Sequence, residues 1–489
     1  MPLSPLFTRR RMLAGPALAV VAAVLPPRWT HAASGDTGPD GFRIIRARPG
    51  AVKLRGPELS ATPIWGYDGS VPGPLLRVKR GQEIRVRLVN DLSEPTVVHW
   101  HGLRLPNAMD GVPHLTQEPI APGQSFDYRF VAPDAGTFWY HTHFRSSGQQ
   151  GRGLYGALIV DEAEPVAIDR DVLLVLDDWR LTEAGAIDEA SFGSAHDAAH
   201  AGRLGQYLTV NSLDTFDIPA RTNERLRLRL INAANARVMT LRLDRHRARV
   251  MAIDGQPSEP FDARDGRVTL APGSRVDLIV DATLDAGTKA PFVLEYGRGE
   301  ELLFARLVYD AGPPLRPAPL GPPQPLPANP LPERMDFIGA FRLEVPMDGG
   351  AMSAMMMGGM MGRGMMGPGA APGAGGIDPR AGLFWALAGR SSTGHDGPPL
   401  FQVKRGRTVV LNLPNRTAFP HAMHIHGHHF RLLDRLDDGW KPYWLDTVLI
   451  QREQSARIAF VADNPGKWLI HCHMIEHMET GMAAWFEVT

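Results

Sequence analysis

The C-terminal stretch of this 489-residue chain combines cysteine, histidine and methionine at close spacing. Cys472, the only cysteine in the sequence, is flanked by His471 and His473, and His477 and Met482 follow it. Two His, one Cys and a weak axial Met are the ligands of a mononuclear blue-copper site. The stretch could supply the Cys, one His and the Met of such a site, so the second His must come from another part of the chain.

Four His-x-His pairs occur, each within a sequence pattern typical of a β-strand. Side chains at positions i and i+2 of a strand point to the same face, roughly 6.5–7 Å apart. Each pair therefore presents two neighbouring imidazoles, which suits two adjacent metal ions better than chelation of one. Eight imidazoles gathered at one interface would fit a cluster of three copper ions, for which imidazole is a good ligand. The pairs are His99/His101, His141/His143, His424/His426 and His471/His473.

Strand alternation separates the two kinds of site. If His471 and His473 point to one face of a strand, Cys472 points to the other, so its thiolate can bind a separate copper while both imidazoles reach the cluster. His421, three residues before the third pair, is the candidate for the missing ligand. The predicted mononuclear set is His421, Cys472, His477 and Met482.

The other histidines do not lie in duplicated positions. Six of them are interpreted as surface or satisfied core residues: His31, His114, His196, His200, His246 and His395. His428 and His429 trail the third pair and are interpreted as structural residues or as supports of the metal ligands.

Three segments in the first third of the chain recur in the last third, in the same order and with similar spacing. They are residues 74–90 with 399–415, 98–102 with 423–427, and 134–143 with 464–473. Their alternating apolar residues and turn residues are typical of strands. The first and last thirds are therefore predicted to be copies of one β module of roughly 120 to 150 residues.

The middle third carries a fainter copy, with alternating Arg and Leu at residues 225–230. Where the outer copies have His-x-His pairs, this copy has Met239-Thr240-Leu241 and Phe292-Val293-Leu294. We predict that the middle module is a spacer and scaffold that contributes no metal ligand. Helical periodicity is scarce, and residues 182–202 are the best candidate for a helix.

The N-terminus is predicted to be an export signal spanning residues 1–33. Three arginines within residues 8–13 resemble the twin-arginine motif, an apolar run over 14–25 follows, and residues 30–32 offer a small-residue cleavage site. The alternative is a membrane anchor, but the run is too short to span a bilayer. The sequence therefore predicts a periplasmic protein, exported folded by the twin-arginine pathway, with no membrane span in the mature chain.

Two low-complexity segments precede the repeated part of the last module. Residues 311–332 contain ten prolines in 22 positions and are typical of an extended interdomain linker. Residues 347–376 are rich in Met and Gly, and nine of the 19 methionines lie between Met347 and Met366. Glycine-rich sequence cannot form a regular packed core, whereas thioethers are soft ligands for Cu(I). The alternatives are a flexible linker with incidental methionines or an oxidant sink.

Together these motifs resemble the four copper-binding signatures of the multicopper oxidase family. All ten histidines and the cysteine of those signatures are present, and the resemblance covers the whole mature chain. It implies an all-β fold of three cupredoxin-like Greek-key β-barrel domains. The expected ranges are 40–165, 166–310 and 333–489, with the linker at 311–332 and the Met-rich insertion at 347–376.

By the same resemblance the expected cofactors are four copper ions. The blue copper maps to His421, Cys472, His477 and Met482, and the single normal copper maps to His99 and His424. The coupled pair maps to His101, His141, His143, His426, His471 and His473. The implied chemistry is one-electron oxidation at the mononuclear site, transfer through Cys472 and its flanking histidines, and reduction of O₂ to water at the cluster.

Formation of water takes up protons, so an acid near the cluster is expected. Asp110 lies where the family keeps such an acid, and we predict that it is a proton relay or supports a ligand; the alternative is a turn-forming Asp-Gly. Bacterial relatives often have Glu directly after the ligand His, where this chain has Met478. Glu476 and Glu479 are near in sequence, but strand alternation could point either one away from the cluster.

The leading hypothesis for function is a cuprous oxidase in copper tolerance, because the Met-rich segment could capture Cu(I). A laccase-type oxidase of phenols and aromatic amines is the alternative, and the complete ligand set disfavours a protein that only sequesters copper. Axial Met482 favours a lower potential than a non-coordinating residue would. Lys plus Arg and Asp plus Glu balance at 52 each, so no basic excess indicates a nucleic-acid partner. We expect a monomer.

Overall fold

The structure, a computed structural model, describes residues 36–296, 299–332, 334–351, 376–433 and 440–489. The predicted export signal at 1–33, with His31, lies outside the described residues. So does most of the predicted Met-rich insertion, residues 352–375. Among the helices of the described residues, none has the length and apolar character needed to cross a bilayer.

The first domain consists of two sheets with strand orders β2-β1-β4-β6 and β3-β8-β7-β5. Its strands are β1 Arg43–Val52, β2 Thr62–Tyr67, β3 Gly73–Lys79, β4 Glu83–Asn90, β5 His99–His101, β6 Ser125–Val131, β7 Gly136–His141 and β8 Tyr155–Asp161. Strand β4 follows the alternation of its sequence, since Ile84, Val86 and Leu88 are buried while Glu83 and Arg85 are exposed. The apolar face of the sheet thus packs into the core between the two sheets.

The second domain repeats this arrangement with strand orders β10-β9-β12-β17-β14-β15 and β11-β19-β18-β13-β16. Its strands are β9 Arg170–Trp179, β10 Tyr207–Val210, β11 Phe216–Ala220, β12 Glu224–Asn232, β13 Met239–Leu243, β14 Arg249–Ile253, β15 Gln256–Asp262, β16 Arg267–Leu270, β17 Arg275–Ala282, β18 Lys289–Tyr296 and β19 Glu300–Tyr309. The apolar residues that replace the His-x-His pairs lie on the paired strands β13 and β18, where Leu241 is opposite Leu294. They fill the core of this domain.

The third domain has sheets of order β20-β25-β30-β27-β28 and β23-β32-β31-β26-β29, with β24 beside β32 and a small sheet of β21 and β22. Its strands are β20 Phe341–Glu344, β21 Met347–Gly349, β22 Trp385–Leu387, β23 Ser392–Thr393, β24 Gln402–Val403, β25 Thr408–Pro414, β26 His421–Ile425, β27 Phe430–Leu433, β28 Trp440–Leu445, β29 Thr447–Ile450, β30 Ser455–Val461, β31 Gly466–Cys472 and β32 Met482–Val488. Met347, the first residue of the predicted Met-rich insertion, lies in β21 and is fully buried in the domain core.

The three domains share one topology. The first strand of each pairs in parallel with a later strand: β1 with β4, β9 with β12, and β20 with β25. That later strand pairs antiparallel with β6, β17 and β30 respectively. The recurrence of this crossover in all three domains agrees with the sequence repeats, and the all-β prediction is confirmed.

Helices are short in the described residues. The α-helices are α1 Ser146–Gln150, α2 Ala195–Ala199 and α3 Ile475–Glu479, and the 3₁₀ helices are Asn107–Met109, Glu189–Ser191, Arg264–Gly266 and Pro379–Ala381. The helix predicted over 182–202 is wrong for most of its length. Gly185 and Gly193 have φ angles of 85° and 72°, which interrupt any helix, and α2 begins only after the N-cap Ser194.

The proline-rich segment 311–332 packs along the first two domains instead of hanging free. Leu326 is buried against Met251 and Ile279 of the second domain. The Asn329 amide donates to the carbonyl of Ala135 at 2.8 Å and accepts from its N–H at 2.8 Å. These contacts join the segment to both domains, so it holds the first and second domains together as well as connecting the second to the third.

Candidate metal centres

Two pairs of neighbouring strands, with the residues that directly follow their ends, place the eight paired histidines in one interface. In the first domain β5 pairs with β7, so that His99 is opposite His141. In the third domain β26 pairs with β31, so that His424 is opposite His471. The imidazoles of the two domains meet directly, since the rings of His101 and His424 stack with centroids 3.9 Å apart.

The eight imidazoles form three groups whose donor atoms lie within 4.8 Å of one another. All members are buried, and each group draws residues from both the first and the third domain. The groups are His99, His101 and His424; His101, His141 and His473; and His143, His426 and His471. Because no group is complete within one domain, the cluster exists only where the two domains meet.

The protonation and hydrogen bonding of these histidines fit metal ligation. Burial, reinforced by the neighbouring imidazoles, lowers the pKa of His141, His143 and His426 far below the usual value, so the rings are neutral, the form that binds metals. The Nε2 atoms of His99, His141, His143 and His424 are buried without a hydrogen-bond partner. A buried polar atom left unsatisfied is costly, and coordination to copper would satisfy it.

A second convergence of donor atoms lies on the other face of β31. The Sγ of Cys472 is 3.6 Å from Nδ1 of His421 and 3.7 Å from Nδ1 of His477, and these two nitrogens are 3.1 Å apart. All three residues are buried. Met482 is also fully buried and belongs to the same core cluster as Cys472. The donor set is that of a blue-copper site.

The outer nitrogens of both imidazoles are occupied, which leaves each Nδ1 for a metal. Nε2 of His421 pairs with the Thr417 hydroxyl at 2.8 Å, and Nε2 of His477 donates to the carbonyl oxygen of His200 at 2.8 Å. Such partners fix ring tautomer and orientation. Burial raises the pKa of the Cys472 thiol to about 12, so metal binding must displace its proton.

Three models of protein families, each described as multicopper oxidase, match residues 52–165, 170–294 and 377–489. The multicopper oxidase MmcO of Mycobacterium tuberculosis is 30% identical over 93% of this chain and 88% of its own length. This chain belongs to the multicopper oxidase family.

Further comparisons support both fold and family. Copper resistance protein A of Escherichia coli is 31% identical over 55% of this chain and 51% of that protein. The crystal structure of a multi-copper oxidase from Pseudomonas thermotolerans is 36% identical and superposes with a TM-score of 0.78, covering 93% of this chain and all of the other. The predictions of three cupredoxin-like Greek-key β-barrel domains and of a copper-dependent oxidoreductase are confirmed.

Asp110 of this multicopper oxidase is buried at the edge of the cluster. Its carboxylate accepts a hydrogen bond from Nδ1 of His426 at 2.9 Å, and its backbone carbonyl accepts one from Nδ1 of His99 at 2.7 Å. The alternative, a turn-forming Asp-Gly, also describes the local backbone, because Gly111 has φ of 79° and a Cβ there would lie 1.8 Å from the carbonyl oxygen of Val98. Asp110 thus closes a turn and contacts two of the predicted ligands.

We expect Asp110→Asn to lower O₂ consumption about 10–100-fold, the range typical of outer partners of metal ligands, and to lower the copper content of the cluster. The amide preserves the turn and the volume but carries no charge to polarise His426. Copper per chain and oxygen uptake are the measurements, with Asp217→Asn as the control because Asp217 is an exposed carboxylate paired with Arg306. Unchanged copper content and oxygen uptake in Asp110→Asn would show that Asp110 serves only to form the turn.

Asp446 is a buried carboxylate that belongs to none of the motifs recognised in the sequence. Its Oδ1 lies 3.3 Å from Nε2 of His101, and its backbone carbonyl accepts from Nδ1 of His424 at 2.9 Å. Arg275 of the second domain donates to both carboxylate oxygens, at 2.9 and 2.6 Å, and Asp254 accepts from the backbone N–H of Arg275 at 3.0 Å. Burial alone would raise the pKa of Asp446, but Arg275 and His101 hold it well below its usual value.

The two glutamates near Met478 point to neighbouring domains. They lie on helix α3, so strand alternation does not apply to them. Glu476 accepts from the backbone N–H of Arg203 at 3.0 Å, and Glu479 accepts from the backbone N–H of Ser147 at 3.1 Å. Met478 itself is buried. Both carboxylates therefore act as contacts that fix the position of the metal-binding loop.

The histidines interpreted as structural are of two kinds. His428 packs against the rings of Phe460, Trp468 and Phe486, whereas Nε2 of His429 lies 3.6 Å from the Asp446 carboxylate. His200, interpreted as a surface or satisfied core residue, has its Nδ1 satisfied by the carbonyl of His196, and its own backbone carbonyl accepts from His477. The middle domain was predicted to be a scaffold without ligands, and none of the metal-binding groups in the described residues includes it. It nevertheless supplies His200 and Arg275 to the two centres.

Proposed function

We propose that this multicopper oxidase is a cuprous oxidase that holds four copper ions. His421, Cys472, His477 and Met482 would hold the mononuclear copper. His99 and His424 would hold the normal copper. The coupled pair would be held by His101, His141, His143, His426, His471 and His473. When bound, these ions supply one-electron oxidation of substrate and four-electron reduction of O₂ to water.

The residues of the chain itself provide orientation and connection. The imidazole of His471 donates through Nδ1 to the carbonyl of Cys472 at 2.9 Å, and its Nε2 is 3.1 Å from Nε2 of His426. The two sites are thus joined by the covalent backbone between Cys472 and its neighbours. Asp110, which contacts His426, is the proposed proton relay. The expected domain ranges 40–165, 166–310 and 333–489 remain proposals.

The Met-rich sequence is the observation that favours Cu(I) over phenols as the substrate. Eight methionines lie among glycines between residues 352 and 366, and soft thioethers select Cu(I) over harder ions. The similarity to copper resistance protein A supports the same role. We further propose that the protein acts as a monomer in the periplasm after export by the twin-arginine pathway, on the sequence of residues 1–33.

Replacement of residues 352–375 by a Gly/Ser segment of equal length should raise KM for Cu(I) about tenfold, which corresponds to roughly 1.4 kcal/mol of lost binding. Turnover of a dimethoxyphenol should hold or rise. The exchange is confined to 352–375 because Met347 belongs to the buried strand β21. Oxygen uptake with each substrate is the measurement. Equal losses for both substrates, or unchanged Cu(I) oxidation, would contradict the cuprous assignment.

A laccase-type oxidase of phenols and aromatic amines is the second candidate. An aromatic side chain near the mononuclear site favours it, because the half-buried ring of Phe419 lies 5.7 Å from the ring of His200, whose carbonyl contacts His477. A phenol could stack on this face. A high turnover of phenols with no turnover of Cu(I) in the same oxygen-uptake measurement would favour this candidate.

A further inference from the structure

Trp139 of the first domain is an aromatic residue in direct contact with the predicted copper cluster. Its indole stacks on the imidazole of His141, with ring centroids 4.2 Å apart and planes 24° apart. The same indole lies 5.3 Å from the ring of His101 and 5.6 Å from the ring of His473. These three histidines form one of the groups of converging donor atoms. Trp139 can therefore exchange an electron with the ligands of one metal position through ring contacts.

Tyr155 is the cross-strand neighbour of His141. Strands β7 and β8 pair so that His141 is opposite Tyr155 and Trp139 is opposite Ala157. Directly opposite residues point to the same face of a sheet, with Cβ atoms about 4.5–5.5 Å apart. Tyr155 and Trp139 belong to one buried apolar cluster, which also contains residues of the second domain. Tyr155 thus lies beside both a predicted ligand and the indole that contacts the cluster.

A buried carboxylate of the second domain holds the phenol of Tyr155. The hydroxyl donates to Oδ2 of Asp177 at 2.6 Å, a length typical of a hydrogen bond to an ionised carboxylate. Oδ1 of Asp177 accepts from the N–H of Asp178 at 2.7 Å, so both oxygens are acceptors. Burial and the nearby Asp178 raise the pKa of Asp177 well above its usual value. Asp177 therefore takes up a proton more readily than an exposed carboxylate would.

The indole of Trp139 has no comparable base. Its Nε1 is buried without a hydrogen-bond partner among the described residues. Loss of an electron makes both an indole N–H and a phenol O–H strongly acidic, and transfer of that proton to a base stabilises the oxidised ring. Tyr155 has its base within hydrogen-bond reach, so an oxidised Trp139 would draw its electron back from Tyr155.

We propose that Tyr155 is an internal electron donor to the copper cluster, with Trp139 as the relay and Asp177 as the acceptor of the phenolic proton. The inference rests on the proposed copper cluster but not on the choice of substrate. Reduction of one O₂ to two waters takes four electrons. When substrate has supplied only three, Tyr155 gives the fourth and its proton passes to Asp177, which leaves a neutral tyrosyl radical. A later electron from substrate reduces the radical, and Asp177 returns the proton.

Such a donor protects the buried ligands from oxidation. A cluster that has passed too few electrons to O₂ takes the missing electron from the nearest oxidisable side chain. An electron taken from Tyr155 can be replaced, because the phenol and Asp177 only exchange a proton. Oxidation of a histidine ligand, by contrast, alters the imidazole ring permanently.

The radical can be observed directly. Holoenzyme reduced with fewer than four electron equivalents per chain, mixed with O₂ and frozen, should show the electron paramagnetic resonance signal of an organic radical. Incorporation of ring-deuterated tyrosine should narrow this signal. Tyr155→Phe should lower it at least tenfold, and so should Asp177→Asn, whose amide can accept the hydrogen bond but not the proton. Tyr140→Phe is the matched control, because this buried phenol precedes His141 but donates to the carbonyl of Pro74 at 2.7 Å.

Resistance to inactivation supplies the second measurement. At limiting substrate, the number of turnovers before inactivation should fall at least tenfold relative to the initial rate in Tyr155→Phe and Asp177→Asn, while copper content equals that of the wild type. A radical signal of wild-type size in Tyr155→Phe, an equal loss in Tyr140→Phe, or a signal that labelled tyrosine does not narrow would overturn the proposal. O₂ reduction by the wild type without any radical signal would also overturn it and leave the proposed function intact. Copper-loaded wild type that does not reduce O₂ would refute both.

Discussion

Cys472→Ser should abolish the intense blue absorption and lower substrate oxidation by more than about a hundredfold, beyond the range seen for outer partners of metal ligands. The thiol faces both His421 and His477, at 3.6 and 3.7 Å. A serine hydroxyl fits the space but is not a soft ligand for copper. Without the thiolate, the side chain of residue 472 would no longer connect the mononuclear copper to His471 and His473 through the backbone.

The same variant should leave the cluster in place. His471 and His473 keep their contacts with histidines of the first domain, so the electron paramagnetic resonance signal of the normal copper should persist while the blue band disappears. Met474→Leu is the matched control, because Met474 is buried in the same core and this exchange nearly conserves volume. Retained turnover in Cys472→Ser, or loss of the blue band in Met474→Leu, would refute the assigned role of the thiol.

The fold and the meeting of the paired histidines were predictable because their sequence signals are local and repeated. A His-x-His pair on a strand fixes the direction of both side chains whatever the rest of the chain does. Each outer module has two such pairs on neighbouring strands, with His99 opposite His141 and His424 opposite His471. Few arrangements of the two modules then bring all eight imidazoles together. The alternation around Cys472 placed its thiol opposite the two imidazoles for the same reason.

Residues that act through partners far along the chain gave no such signal. Arg275 and Asp446 are 171 positions apart, and neither belongs to a motif that marks it as different from other charged residues. Arg225, Arg227 and Arg229 alternate with leucines in β12, yet all three are buried, and carboxylates of neighbouring strands pair with them. The contact of the His200 carbonyl with His477 was hidden for the same reason, because the two residues are 277 positions apart.

Arg275→Met should destabilise the protein by about 3–5 kcal/mol, the typical effect of removing one partner from a buried ion pair. Arg275 is fully buried, and it is the cation that compensates Asp446 and Asp254. Without it these carboxylates must take up protons or remain charged in a site of low dielectric constant. A protonated Asp446 would lose its charge-assisted contact with Nε2 of His101, so copper content should fall as well as stability.

Arg227→Met separates these two effects. Arg227 is equally buried in the second domain and pairs with Asp277 at 2.6 Å and Glu162 at 2.8 Å, but it contacts none of the predicted metal ligands in the described residues. We expect both variants to unfold at lower urea concentration than the wild type. Only Arg275→Met should show less copper per chain and an altered resonance signal of the normal copper.

Arg275→Lys completes the series, because it restores the positive charge without the bidentate fork that grips both oxygens of Asp446. Stability should recover more than copper content, since charge compensation needs only a cation while the orientation of Asp446 needs the fork. If Arg275→Met and Arg227→Met bound copper equally well, Arg275 would serve stability alone. If copper content stays low in Arg275→Lys as well as in Arg275→Met, the bidentate guanidinium of Arg275 is what the cluster needs. The middle domain would then control a metal cluster to which it contributes no predicted ligand.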